Sequence, residues 1–137
     1  MRRDRVVKIN EVSQQFNLSI DTLRYYEKIG LLDKVDKENG IRNYKEKDLE
    51  RLEFIVCMKQ SGMTLETIRQ YFELLTEGDK TLEGRLKLLE KQQIAALKQM
   101  NELQKSMNYL EFKINLTRDR MKARDKVEAN NEQRYSH

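Results

Sequence analysis

The sequence predicts a mainly α fold: a winged helix-turn-helix with a small β-hairpin wing, followed by a long dimerisation helix. Three observations predict it. A short amphipathic helix between Ser19 and Gly30 carries the triplet Arg24-Tyr25-Tyr26. An Asn39-Gly40 hairpin signal follows, with Arg42 just past its tip. A heptad pattern of apolar residues then runs from Leu82 to Met121. A helix beside a basic hairpin is the arrangement with which winged helix-turn-helix modules grip duplex DNA.

Each element follows from local chemistry. Asn10 is placed to cap a first short helix over Glu11 to Phe16, with Ile9, Val12 and Phe16 near one face. Asn17-Leu18 reads as a turn, because Asn tolerates the left-handed conformation. Ser19 caps a second helix that Gly30 stops near Ile29. Leu31 to Glu38 and Ile41 to Lys45 flank Asn39-Gly40, whose type I′ turn needs positive φ at both positions. Acidic and basic residues alternate along this hairpin, so it reads as solvated rather than core. A third helix spans about Glu46 to Ser61 and ends at Gly62. Thr64 caps a fourth, to about Thr76, and Glu77-Gly78-Asp79 breaks it.

The remainder is the heptad stretch. Leu82, Leu86, Leu89, Gln93, Ala96, Met100, Leu103, Met107, Leu110, Ile114, Thr117 and Met121 alternate spacings of four and three. Such a seam argues for a coiled coil, about 60 Å long at 1.5 Å per residue. Nothing else in the chain supplies a second helix of that length, so a homodimer is the simplest partner. Residues 1–79 are thus expected to form the DNA-binding domain and 80–121 the dimerisation helix. Residues 122–137 read as a polar, flexible tail, frayed from Asn130 onward.

Composition bounds the function. Of 137 residues, 38% are hydrophobic and 36% charged, and Pro is absent, which favours uninterrupted helix. The net charge of +4 is too small to identify a nucleic-acid binder by itself, so the argument rests on local placement. One cysteine, Cys57, excludes an intramolecular disulfide and points to a reducing, cytoplasmic compartment. No signal-peptide h-region and no apolar run of membrane-spanning length occur, so no membrane association is expected. No paired carboxylates, nucleophile-base pair or Gly-rich phosphate loop can be found, so the chain is not expected to be an enzyme and no cofactor is called for.

Arg24 on the second helix can pair with a guanine edge or a phosphate. Tyrosine hydroxyls can donate to phosphate oxygens, although Tyr25 and Tyr26 also read as half-buried aromatics. The hairpin carries Lys34, Lys37, Arg42 and Lys45. Arg42 stands out because no acidic residue lies within two positions. The plainer alternative is a solvated edge ribbon protected by its charges.

Residues Ile9 to Thr76 resemble the DNA-binding domain of the MerR family of transcription regulators. The matching pieces are INEVSQQFNLSIDTLRYYEKIGLL, the wing ending GIRNYKEKDL, and LEFIVCMKQSGMTLETI. The heptad helix extends the match to about residue 118. The resemblance implies an antiparallel coiled coil between two subunits. It also implies an operator inside a promoter with an overlong spacer, which the dimer bends and untwists for RNA polymerase. It nominates Thr22, Arg24, Tyr25 and Tyr26 on the helix, Arg42 and Tyr44 in the wing, and Lys59 as a phosphate contact. Ser19, opening the helix, completes the candidate double-stranded DNA contact set.

Metal-sensing members of that family place cysteines around the dimer helix, and here those regions have none. One His and one Cys cannot build a metal cage, so no metal site is expected. Cys57 has two readings. A free Cys is commonly a small core hydrophobe. The run LEFIVCMKQSGMT, however, resembles the single-cysteine subgroup that responds to electrophiles such as aldehydes and to oxidative or nitrosative stress, which makes Cys57 a candidate thiol sensor. Two other functions compete: a regulator switched by a small molecule, with Met100, Met107, Tyr109 and Phe112 lining a pocket near the coil, and a helical interaction protein without a DNA role.

Overall fold

The computed structural model describes residues 6–135. Its elements are β1 (Val7–Lys8), α1 (Ile9–Phe16), α2 (Ile20–Lys28), β2 (Lys37–Glu38), β3 (Ile41–Tyr44), α3 (Glu46–Gln60), α4 (Leu65–Glu77), a 3-10 turn (Asp79–Thr81) and α5 (Leu82–Tyr135). They cluster into two compact units, Met1–Ala96 and Leu97–His137.

In the first unit the punctuation is where the sequence puts it. Asn17 sits at φ 54°, ψ 44°, closing α1: its N–H donates to the Gln14 carbonyl at 3.4 Å, and the Leu18 N–H donates to the Ser13 carbonyl at 3.0 Å. The Ser19 hydroxyl accepts from the Thr22 N–H at 3.0 Å. The Thr64 hydroxyl does the same for the Thr67 N–H at 3.1 Å. Asn39 and Gly40 both have positive φ, 52° and 78°, as a type I′ turn requires.

Three expectations change. Asn10 is inside α1 rather than its cap, because Val7–Lys8 form a strand that feeds directly into the helix. That strand pairs antiparallel with β3, Val7 opposite Tyr44, giving a three-stranded sheet of order β1-β3-β2. The wing is also not wholly solvated. Leu31, Leu32 and Val35 are buried in the approach to β2, which is only two residues long. These side chains fill the core, so this stretch follows its apolar anchors rather than a regular strand.

The core joins Val12 of α1, Leu23 and Tyr26 of α2, Tyr44 of β3, Leu52 and Ile55 of α3, and Ile68 and Phe72 of α4. Phe54 stacks on Tyr71 with centroids 4.6 Å apart, binding α3 to α4. Asp48, buried in the first turn of α3, accepts from the Lys45 N–H at 3.0 Å and so satisfies a donor at that helix start. The first turns of α5 belong to this unit. Leu88 packs on the core, and the Gln92 amide donates to the Ser61 carbonyl at 2.7 Å.

The second unit is a continuation of α5. The helix does not stop at Met121. It runs to Tyr135, so 122–135 are helical where the sequence reads as a flexible tail; residues 136–137 of that tail lie outside the described residues. Strong helix formers such as Lys122, Ala123, Arg124 and Lys126 carry it on. Among the described residues no helix is long and apolar enough to cross a membrane.

Candidate nucleic-acid interface

The period of α2 sorts its residues. Leu23, Tyr26 and Glu27 lie three and four apart and share the inward face. Arg24, Tyr25 and Lys28 are exposed. Tyr25 is 50% exposed whereas Tyr26 is 1% exposed. Among the described residues Arg24 has only a loose partner, Asp21 at 3.9 Å, on an exposed surface. Pairs of that kind are weak and easily given up to a phosphate or base edge. Ser19 is exposed and Thr22 half-buried at the start of the helix, their hydroxyls 2.8 Å apart. Lys59, in the last turn of α3, is exposed.

Two nominated contacts are corrected. The Tyr26 and Tyr44 side chains are core residues, and their hydroxyls are buried without a protein hydrogen-bond partner. Burial pushes the Tyr44 phenol up to about 12. Strand alternation explains Tyr44: Arg42 and Tyr44 lie two apart and share one face of β3, and that face is turned toward α2.

Arg42 is therefore not the unopposed cation that its sequence neighbours suggest. Its Nε donates to Glu27 Oε2 at 2.7 Å, and the two side chains are 18% and 14% exposed. Glu27 also accepts from the Val35 N–H through Oε1 at 3.4 Å. Sequence reasoning overlooked Glu27. The signal was present, since a carboxylate four residues after the buried Leu23 falls on the core side of the helix. Lys45 pairs with Asp36 at 2.8 Å, and that hydrogen bond and charge hold the Asp36 carboxyl below its usual range. Lys34 and Lys37 remain exposed on the wing.

Cys57 is exposed on α3, against the core reading. It lies one turn before Ser61, whose N–H donates to the Cys57 carbonyl at 3.1 Å. A groove of about 350 Å³ is lined by Met58 and Ser61 of the α3 end and by Leu86, Leu89, Glu90, Gln92, Gln93 and Ala96 of α5; Cys57 does not line it. Of the four residues expected to line a small-molecule pocket, Met107 borders a groove of about 440 Å³ with Leu110 and Ile114. Met100, Tyr109 and Phe112 are exposed on the helix. Among the described residues no three His, Cys, Asp or Glu side chains cluster to hold a metal.

This geometry pairs a solvent-facing helix edge with a wing. The profile described as MerR HTH family regulatory protein matches residues 7–75, half of the chain. The chain belongs to the MerR family. A second profile, described as MerR, DNA binding, matches residues 49–111. The chain is 45% identical over 84 residues to the HTH-type transcriptional regulator AdhR of Bacillus subtilis, covering 61% of this chain and 60% of AdhR. Among solved structures, a MerR family transcriptional regulator from Listeria monocytogenes superposes with TM-score 0.79 at 33% identity, over 93% of this chain and 98% of that one. HiNmlR, a MerR family regulator lacking the sensor domain and bound to promoter DNA, gives TM-score 0.75 at 34% identity, over 80% and 84%. This MerR-family chain is a DNA-binding transcription regulator and not an enzyme.

Proposed function

We propose that the chain is a homodimeric activator of stress or detoxification genes, working in the cytoplasm. It would bend and untwist a promoter with an overlong spacer so that RNA polymerase can engage both elements. The observation that carries the DNA reading is the exposed edge of α2, with Arg24 and Tyr25 clear of the core and the wing attached alongside through Arg42. Ser19, Thr22 and Lys59 extend that surface, and Lys28, Lys34 and Lys37 add exposed cations. HiNmlR, similar over most of its length, is bound to promoter DNA.

The dimer reading rests on the bare seam of α5. Met100 and Leu103 are 64% and 65% exposed, and Leu82, Leu86, Met107, Leu110 and Ile114 are also exposed. Antiparallel pairing about a midpoint between Met100 and Leu103 sets Leu89 opposite Ile114 and Ala96 opposite Met107, a small residue facing a large one. Leu82 then faces Met121. Every seam position finds a seam partner. A cysteine at Met100, in a Cys57→Ala background, would cross-link between subunits, whereas one at Leu82 would not.

The switch we assign to Cys57. An exposed thiol can reach an aldehyde: its proton leaves to solvent, the thiolate sulfur bonds to the carbonyl carbon, and the C=O π bond opens as its oxygen takes a proton from solvent, giving a hemithioacetal. The site lies one turn from the Ser61 carbonyl that holds Gln92 of α5, so a bulky adduct there would strain the attachment of α5 to α3. The test is transcription in vitro with and without an aldehyde, paired with mass spectrometry of the thiol. Cys57→Ala should bind the operator normally and lose the induced response. A response in Cys57→Ala equal to that of the parent would remove the thiol from the mechanism. Binding to duplex DNA with no dependence on salt would remove the DNA surface.

A further inference from the structure

We propose that Glu27 is a positioning residue of the DNA interface, holding the wing against α2 by accepting from Arg42 of β3 and from the Val35 backbone. The inference rests on the DNA surface described above. Glu27 joins three pieces of chain: the last turn of α2, the approach to the wing and the wing strand itself. Among the described residues, Arg42–Glu27 is the ion pair whose two side chains are both mostly buried, at 18% and 14% exposed. The other pairs around the wing are far more open, with Asp36 and Glu38 about 70% exposed and their lysines more than 40%. A pair withdrawn from water gains little net stability, because desolvation offsets the attraction. It does fix geometry, since the Arg nitrogens are rigidly placed and the carboxylate accepts from both donors at once.

The arrangement makes a prediction opposite to simple electrostatics. Glu27 is an anion beside a surface that meets a polyanion. Were charge its only effect, removing it would tighten DNA binding. As a positioning residue, its removal loosens the wing and weakens operator binding. It should do so without changing the salt slope, because the number of neutralised phosphates stays the same.

The experiment measures operator affinity against salt for Glu27→Gln, Glu27→Ala, Arg42→Ala and the Glu27→Ala/Arg42→Ala double variant. Glu38→Gln serves as a control for charge and Arg24→Ala as a control for the surface. Glu27→Ala is expected to weaken binding about tenfold, the size of a charge-assisted hydrogen bond. Glu27→Gln keeps one acceptor oxygen and should lose less, with amide exchange faster at Val35 and Asn43 but not in α3. The double variant should be no weaker than the poorer single. If Glu27→Ala does not fold, the sign of the Glu27→Gln effect decides alone. Tighter binding by Glu27→Gln, matching Glu38→Gln, overturns the proposal, as do additive losses in the double variant. Loss in Arg24→Ala with none at Glu27 sinks the positioning role and spares the DNA surface. No loss in either means that the surface itself was misassigned, and the positioning role falls with it.

Discussion

Leu23 on α2 and Leu103 on α5 both lie on the apolar stripe of an amphipathic helix. The first is 0% exposed and the second 65%. The difference lies in who covers the stripe. α2 is nine residues long, and its Leu23 and Tyr26 join one core with residues of α1, β3 and α3 of the same chain. α5 has 54 residues, and among the described residues the next longest helix, α3, has 15. Among the described residues no other element can lie along the whole seam. A helix thus closes its apolar face internally when the fold brings elements of matching length against it. When its stripe outruns every other described element, that face stays open.

The largest test of this contrast is replacement of Leu89 and Leu103 with Glu. Each removes burial worth about 1.5–3 kcal/mol, counted in both copies of a symmetric pair. The expected product is a monomer by sedimentation, with tight operator binding lost and the unfolding of the first 96 residues unchanged. Loss of structure throughout the chain would break the contrast. The next effect is Leu23→Ala, expected to destabilise the first unit by about 2–5 kcal/mol in thermal unfolding, while association through α5 persists. Arg24→Ala should leave both stability and association intact and cost about 1–3 kcal/mol of operator binding. An unchanged operator affinity would show that the exposed edge of α2 is not the reading surface.

The smallest effect near neutral pH is Tyr44→Phe, within about 1 kcal/mol, since the hydroxyl lost has no protein partner. Its signature is alkaline. Burial raises the Tyr44 phenol from 10.0 to about 12, so the native state holds that proton more tightly than the unfolded chain does. The corresponding stability is fully present below about pH 10 and is lost as pH rises through about 12. Tyr44→Phe should flatten this alkaline decline. An unaltered decline would place its origin in another group.

The architecture was legible where a single residue type answers a single backbone need. Asn17, Ser19, Asn39-Gly40, Gly62 and Thr64 each mark a boundary that the structure keeps. β1 escaped notice because two residues show no period. The buried approach to the wing escaped because alternating charges masked Leu31, Leu32 and Val35. Among the DNA candidates, helical spacing sets Tyr26 with Leu23, three residues before it, and apart from Arg24 and Tyr25. Matching by motif position put Tyr26 and Tyr44 back on the surface, where packing does not place them. Arg42 was misread because proximity was judged along the chain. Its carboxylate partner lies 15 residues away and arrives through the fold of the wing.

The open seam has a consequence for dosage. If it closes on a second copy, the population able to read a two-part operator follows the square of the free monomer concentration while the chain is scarce. The melting temperature would then rise with protein concentration. A cell that halves the amount of this chain would lose more than half of its competent readers. Synthesis and degradation of the polypeptide would thus act as an input to the promoter alongside any chemical signal. That input is written in a row of leucines and methionines far along the chain from the residues proposed to meet DNA.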